Sequence, residues 1–310
     1  MRSRARELLR RLLRRPPGDW AGPDGAREAA RAALPVDRDD AFDAVVLADE
    51  FPADDPALRS LTAAGHRVFR AALGSDDPFA SLDRLRRESR LGATILLRRG
   101  ERRLDGVAER LGWASLRLDE SAPPAETLRA AFPLASIVIV THDNLDLNRL
   151  CLESLVARTE WPRHEVIVVD NGSTDGTPEF LARFAAAHPR VRVRAWPENR
   201  GFPAAANAGI AECAGDPVVL LNNDTVLTRG WLTGLRRHLA ADPALGLVGP
   251  VTNAIANEAR VDVGYGDVRG LPAWAAAWSR AHDGESFGIP MLAFFCVAIR
   301  RKTLDEVGPL

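Results

Sequence analysis

Three clusters of hydrogen-bonding residues in this chain carry the types that a ligand site needs. They are Thr141-His142-Asp143-Asn144, the run Asp170-Asn171-Gly172-Ser173-Thr174-Asp175, and Asn222-Asn223-Asp224. Each follows a short apolar run: SIVIV at 136–140, EVIVV at 165–169 and VVLL at 218–221. A single cluster of this kind reads equally well as a turn, because Asn, Asp and Gly tolerate turn geometry. Three of them at the ends of successive strands read as a site, since open α/β sheets bind ligands outside the carboxyl ends of their strands. Neither GxGxxG nor GxxxxGK[ST] follows any of these runs, so a phosphate would need another source of positive charge. A hard cation held by carboxylate oxygen supplies it, and Mg²⁺ or Mn²⁺ commonly uses only one or two protein carboxylates. Asp224 beside two neutral amides suits that sparse coordination.

The elements that must position these clusters follow from periodicity. Continuous Val/Ile runs are typical of strands buried on both faces of a parallel sheet. Between the first two runs, LNRLCLESLVA has helical spacing. After the second, Thr177 is expected to cap a helix with Pro178 at its first position and Phe180, Leu181 and Phe184 on one face. VRVRA at 191–195 alternates like a strand, 203–213 is an Ala-rich helix, and 217–221 is again strand. Strands alternating with helices predict βαβ units and a parallel sheet. A weaker α/β pattern occupies 41–120, with strands near 44–48, 66–69, 93–97 and 115–118 and helices near 56–64 and 104–111. It suggests a small Rossmann-like region of unknown role, with DESAPPAE at 119–126 as the boundary.

ASIVIVTHDN, HEVIVVDNGSTDGT, ENRGFPAAANAGI and VVLLNNDTVL, in this order, resemble the family 2 glycosyltransferases of the GT-A fold. The resemblance covers 134–310 within an expected domain of 131–310. It implies a fold class of α/β with a mostly parallel sheet flanked by helices. Thr141 and the adjoining turn with Asp143 would line the pocket for base and ribose, and Asp170 with Asn171 would meet a uracil or thymine ring. Asn199, Gly201 and Asn207 would pack near the diphosphate-sugar. Asn222 and Asn223 stand where the family often has the start of Asp-x-Asp, and Asp224 would bind Mn²⁺ or Mg²⁺. Thr252 and Asn253 fall in the half that faces the acceptor. The implied reaction moves a sugar from a UDP- or dTDP-sugar to a glycan or lipid-linked acceptor with inversion, in bacterial surface polysaccharide synthesis.

The resemblance also implies a general base in an acidic motif shortly after RR…VG, and the sequence given stops at Leu310 where that motif is expected. Asp283, Glu285, Asp305 and Glu306 are carboxylates of this half, yet none occupies the motif. The expectation is therefore a domain cut short of its carboxy-terminal part, which binds nucleoside diphosphate and transfers sugar slowly or not at all. The competing reading is a catalytically incomplete module that binds a sugar nucleotide or glycan. A nucleotidyltransferase would carry a Gly/Arg/Lys-rich loop after its first strand, which THDNLDLN lacks.

Bulk properties narrow the remaining classes. The 310 residues, 46% hydrophobic and 27% charged, have a formal net charge of -1, which gives no reason to expect nucleic acid. Cys151, Cys213 and Cys296 are odd in number and lack metal-ligand spacing, so free thiols and a cytoplasmic location are expected. Trp231, Trp274 and Trp278 are core residues or sugar platforms. Residues 1–17 predict a basic amphipathic helix, with Leu8, Leu9, Leu12 and Leu13 opposite Arg10, Arg11, Arg14 and Arg15. Such a helix can lie peripherally on the inner face of the plasma membrane, and 18–40 would link it to the rest.

Overall fold

The apolar runs that precede the three polar clusters become the centre of a six-stranded sheet. The computed structural model describes residues 43–47, 51–63, 67–71, 94–98, 114–117 and 132–310, apart from 160, 162 and 283. The expected amino-terminal helix and linker, the helix near 104–111 and the boundary at 119–126 lie outside the described residues.

The amino-terminal part contains β1 (Asp43–Leu47), α1 (Pro56–Ala63), β2 (Arg67–Ala71), β3 (Thr94–Arg98) and β4 (Ala114–Arg117). Its four strands are parallel in the order β2-β1-β3-β4.

The larger unit begins with β5 (Ala135–Thr141), α2 (Leu145–Arg158), β6 (His164–Asn171), α3 (Thr177–Ala187), β7 (Val191–Trp196), α4 (Phe202–Ala211) and β8 (Val218–Asn222). It continues through α5 (Trp231–Ala241), β9 (Leu247–Val248), α6 (Leu271–Ala281), β10 (Cys296–Ile299) and α7 (Arg301–Val307). The strand order is β7-β6-β5-β8-β10-β9. β7, β6, β5 and β8 run parallel, and β10 lies antiparallel to both β8 and β9. The fold is thus the expected α/β arrangement, a mostly parallel sheet flanked by helices.

Alternation along β5 sorts the core into two layers. Ile137 and Ile139 face α2, α3 and α5, where they join Cys151, Leu152, Leu155, Leu181 and Leu232. Val138 faces the other way, toward Ala206 on α4 and the partly buried Leu304 on α7. Ile137, Val138 and Ile139 are at most 1% exposed, which accounts for a run with no polar face. Truncating a fully buried Leu such as Leu155 to Ala would cost ~2–5 kcal/mol. On the second face α4 comes so close that a Cβ at Gly209 would stand 2.4 Å from Val138 Cγ1.

This packing places the site. Thr141 pairs in register with Asp170, and Val140 with Asn222, so the three polar clusters emerge side by side at the carboxyl ends of neighbouring parallel strands.

Candidate functional site

At the end of β5 the side chain of Thr141 points to the α2 layer and is buried. Its hydroxyl donates to Asn148 Oδ1 at 2.6 Å. Asn148, 1% exposed, donates in turn to the Asp143 carbonyl at 2.9 Å and to Thr177 Oγ1 at 3.0 Å. Asn223 Nδ2 reaches across to Asn148 Oδ1 at 2.6 Å and to Thr141 Oγ1 at 3.3 Å. Each bond contributes ~1 kcal/mol net, while a buried group left unpaired costs ~1–3 kcal/mol, so the cluster stands or falls together. Thr141 and Asn223 are therefore bound into the scaffold as well as placed at the site.

Asp143 and Asn144 both have positive φ, 53° and 66°, a bend that aims the Asp143 carboxylate back toward the second cluster. There Asp143 Oδ1 accepts from the backbone N–H of Thr174 at 2.7 Å, and Ser173 Oγ meets the Asp143 N–H at 2.8 Å. Asp170, buried at the end of β6, accepts from Ser173 N–H at 3.1 Å. Asp175 accepts from the N–H groups of Thr177 at 2.9 Å and Leu145 at 3.1 Å, so one carboxylate serves the starts of α3 and α2. Burial pushes its pKa up, but the hydrogen bonds from Thr177, Leu145 and Asn144 outweigh that and hold it below the usual carboxylate range. Thr177 is the first residue of α3 and not its cap: Asp175 takes the capping role, and the Thr177 hydroxyl turns to Asn148.

On the opposite face of β6, Asn171 binds the segment that leads to α4. Its Nδ2 donates to Asn199 Oδ1 at 2.9 Å and its Oδ1 accepts from Arg200 N–H at 2.8 Å. Asn199 Oδ1 also accepts from Gly201 N–H at 2.9 Å. The two segments touch at Gly172, where φ is +76° and a Cβ would lie 2.5 Å from the Glu198 carbonyl carbon. Only glycine fits there. Asn207 stands apart from this group: its amide exchanges hydrogen bonds with the backbone of Leu310, at 3.1 and 3.0 Å.

Asn222 ends β8 with its N–H on the Phe295 carbonyl at 2.8 Å, and its own carbonyl accepts from Cys151 Sγ at 3.5 Å. Burial pushes the Cys151 thiol up to about 12, with the Asp224 charge adding to the rise, so this sulfur stays protonated. Asp224 occupies the turn that follows. It is exposed, and its carboxylate makes no hydrogen bond or ion pair among the described residues. Of the three polar clusters, this is the carboxylate that the fold leaves unengaged.

Asp224 lines a cleft of about 1760 Å³. Thr252 and Asn253 line the same cleft, beyond a short parallel bridge between Thr252 and Arg260. So do Trp274, Trp278 and His282, which pile along α6: Trp274 and Trp278 at 5.1 Å, Trp278 and His282 at 3.9 Å, nearly parallel in both cases. The two tryptophans are half-buried, whereas Trp231 is core and donates to Thr159 Oγ1 at 3.2 Å. Glu258 and Glu285 also line the cleft; Asp305 and Glu306 belong to α7, and Asp283 lies outside the described residues. All three cysteines are free.

Asn148 is the site residue that inspection of the sequence missed. The signal was present: it lies three residues before Cys151 and four before Leu152, on the stripe that α2 buries. A polar residue on such a stripe needs a partner.

Glycosyl transferase family 2 matches residues 136–308, which contain all of these clusters. An uncharacterized protein of Sinorhizobium fredii is 33% identical over 189 residues, 57% of this chain and 20% of that protein. The O-antigen biosynthesis protein RfbC of Myxococcus xanthus is 29% identical over 186 residues, 57% of this chain and 14% of that protein. The chain thus spans no more than about a fifth of the length of these two relatives. Among solved structures, the mannosyltransferase PcManGT of Pyrobaculum calidifontis, in complex with GDP-Man and Mn²⁺, aligns at 26% identity with a TM-score of 0.44, over 57% of this chain and 47% of that one. With more than half of its residues inside the family's domain, the chain belongs to glycosyl transferase family 2.

Proposed function

We propose that this chain transfers a sugar, with inversion, from a UDP- or dTDP-sugar to a glycan or lipid-linked acceptor of a surface polysaccharide. The observation that carries the proposal is Asp224, an exposed and unengaged carboxylate between three interlocked strand ends and a large cleft. The O-antigen role of the Myxococcus xanthus relative supports the surface-glycan setting.

Asp224 fits a divalent ion, being anionic, exposed and free of protein partners among the described residues. It would hold Mn²⁺ or Mg²⁺, which when bound offsets the charge on the diphosphate and eases its departure. Asn222 and Asn223 add no charge that would repel phosphate. Asp170 is set to accept from a base N–H, while the Asn171–Asn199 pair keeps the loop before α4 in place. Thr252 and Asn253 offer hydroxyl and amide groups to an acceptor. Inversion requires that the acceptor hydroxyl attack opposite the leaving group and lose its proton to a base. Glu285, on the cleft wall, is the first residue to test for that role.

Peripheral contact with the inner face of the plasma membrane through residues 1–17 belongs to the same proposal. No helix among the described residues is long and apolar enough to cross a membrane.

The test is release of nucleoside diphosphate from a panel of UDP- and dTDP-sugars, with Mn²⁺, in the presence and absence of a surface-glycan acceptor. Acceptor-dependent release is expected, slowed ~10²–10⁴-fold by Glu285→Gln if that carboxylate is the base. Failure to bind or consume any of these donors would overturn the reading.

A further inference from the structure

We infer that Asn148 is a positioning residue for the donor site, fixing the turn that carries Asp224 to the ends of β5 and β6. The inference rests on the proposed role of Asp224 as metal ligand. A carboxamide has two N–H donors and an oxygen that accepts twice. In Asn148 all four are used, and each goes to a different segment. The oxygen takes Thr141 at the end of β5 and Asn223 on the turn after β8. The nitrogen gives to the Asp143 carbonyl in the left-handed bend and to Thr177 at the start of α3. Anchoring α2 to the sheet would not require this, because Cys151, Leu152 and Leu155 already do so.

The four partners stand next to the groups that would meet the donor. Asn223 immediately precedes Asp224. Asp143, whose carbonyl is held by Asn148, uses its carboxylate to hold the Thr174 N–H in the loop after Asp170. Thr141 is the register partner of Asp170 itself. Asn148 thus sets the distance between the base end of the site and the metal end. A displacement of about 1 Å in such a constellation can cost ~10²-fold in function.

A purely structural Asn148 would affect stability and leave the ligand alone, so the two roles separate by experiment. The readout is the gain in UDP affinity that Mn²⁺ brings over chelator, measured by calorimetry at a temperature where each variant is folded, beside its Tm. Asn148→Leu should lower that gain by at least about fivefold, the low end of couplings between sites. Thr159→Val serves as the control, since Thr159 is equally buried at the far end of α2 and its hydroxyl bonds, among the described residues, Leu155 and Trp231. It should lose stability and keep the gain within twofold. Should Asn148→Leu fail to fold, Asn223→Ala cuts the same tie from the partly exposed side, and the same loss is expected. An undiminished gain in Asn148→Leu or Asn223→Ala, with wild type showing one, overturns the positioning role alone. Absence of any gain in wild type overturns it together with the metal reading of Asp224.

Discussion

Two walls of the candidate site are built in opposite ways: among the described residues the first reaches the cleft only at Leu150, Trp161 and Asp224, while the second lines much of it. Between Ala135 and Asp224 the chain alternates strand and helix, and the polar ends are tied to one another through Asn148, Asp143, Asp175 and Asn171. Between Gly249 and Phe295 the described residues form one helix longer than a turn, α6, and its contribution to the cleft is an aromatic pile. Phe287 and Met291 in that segment remain 60% and 68% exposed. The first wall is preorganised by its hydrogen bonds, which under the proposed function would spare a bound diphosphate the cost of ordering flexible groups. The second has few cross-links, as is usual for segments that run between elements at the surface.

If that contrast is real, equivalent changes should hurt the first wall more. Gly172→Ala forces a side chain into a +76° φ and onto the Glu198 backbone. A loss of roughly 3 kcal/mol or more in urea denaturation is expected, in the range of strained-backbone substitutions. Gly266→Ala, on the second wall, meets nothing within 4 Å and should change stability by less than ~0.5 kcal/mol. Equal effects at the two glycines would break the comparison.

Trp278→Ala removes the middle of the aromatic pile. Its stacking on Trp274 and His282 is worth ~0.5–1.5 kcal/mol per contact, so a loss of about 2 kcal/mol is expected, with UDP affinity unchanged within twofold. A large drop in nucleotide affinity would show that α6 belongs to the donor side.

The smallest effect concerns Asp175. Its folded pKa is depressed, so the stability it contributes is present above the unfolded value of about 3.9 and is lost as pH falls through the folded value. Asp175→Ala should lower stability by about 1 kcal/mol at pH 6, as for a lost helix cap. The gap from wild type should close at acid pH below the folded value. A gap independent of pH would mean that the carboxylate charge plays no part in joining α2 to α3.

The same contrast explains what could be seen in the sequence. β5, β6 and β8 were legible because strands buried on both faces must be continuously apolar, and a polar residue ending such a run has nowhere to go but the strand's carboxyl end. The antiparallel β10 was hidden in LAFFCVAIRR, where an apolar run has no alternation to declare its partner. Asn148 was hidden because a lone Asn in a helical stretch is usually solvated, and only its three- and four-residue spacing to Cys151 and Leu152 betrays burial. Thr177 did not take its expected capping role because Asp175 can serve the same helix start, and the demand of Asn148 for an acceptor, which the Thr177 hydroxyl meets, is a tertiary fact.

The central claim is that the first wall ends in a free carboxylate for a metal-bound diphosphate. Calorimetric titration of UDP or dTDP into wild type and Asp224→Asn, each with Mn²⁺ and with chelator, tests it directly. Asp224→Asn preserves size and turn propensity and removes only the charge. Wild type should gain about tenfold or more in affinity from the metal. Asp224→Asn should lose most of that gain with its Tm intact. Equal affinity in metal and chelator for wild type, or a full metal-dependent gain in Asp224→Asn, would contradict the account.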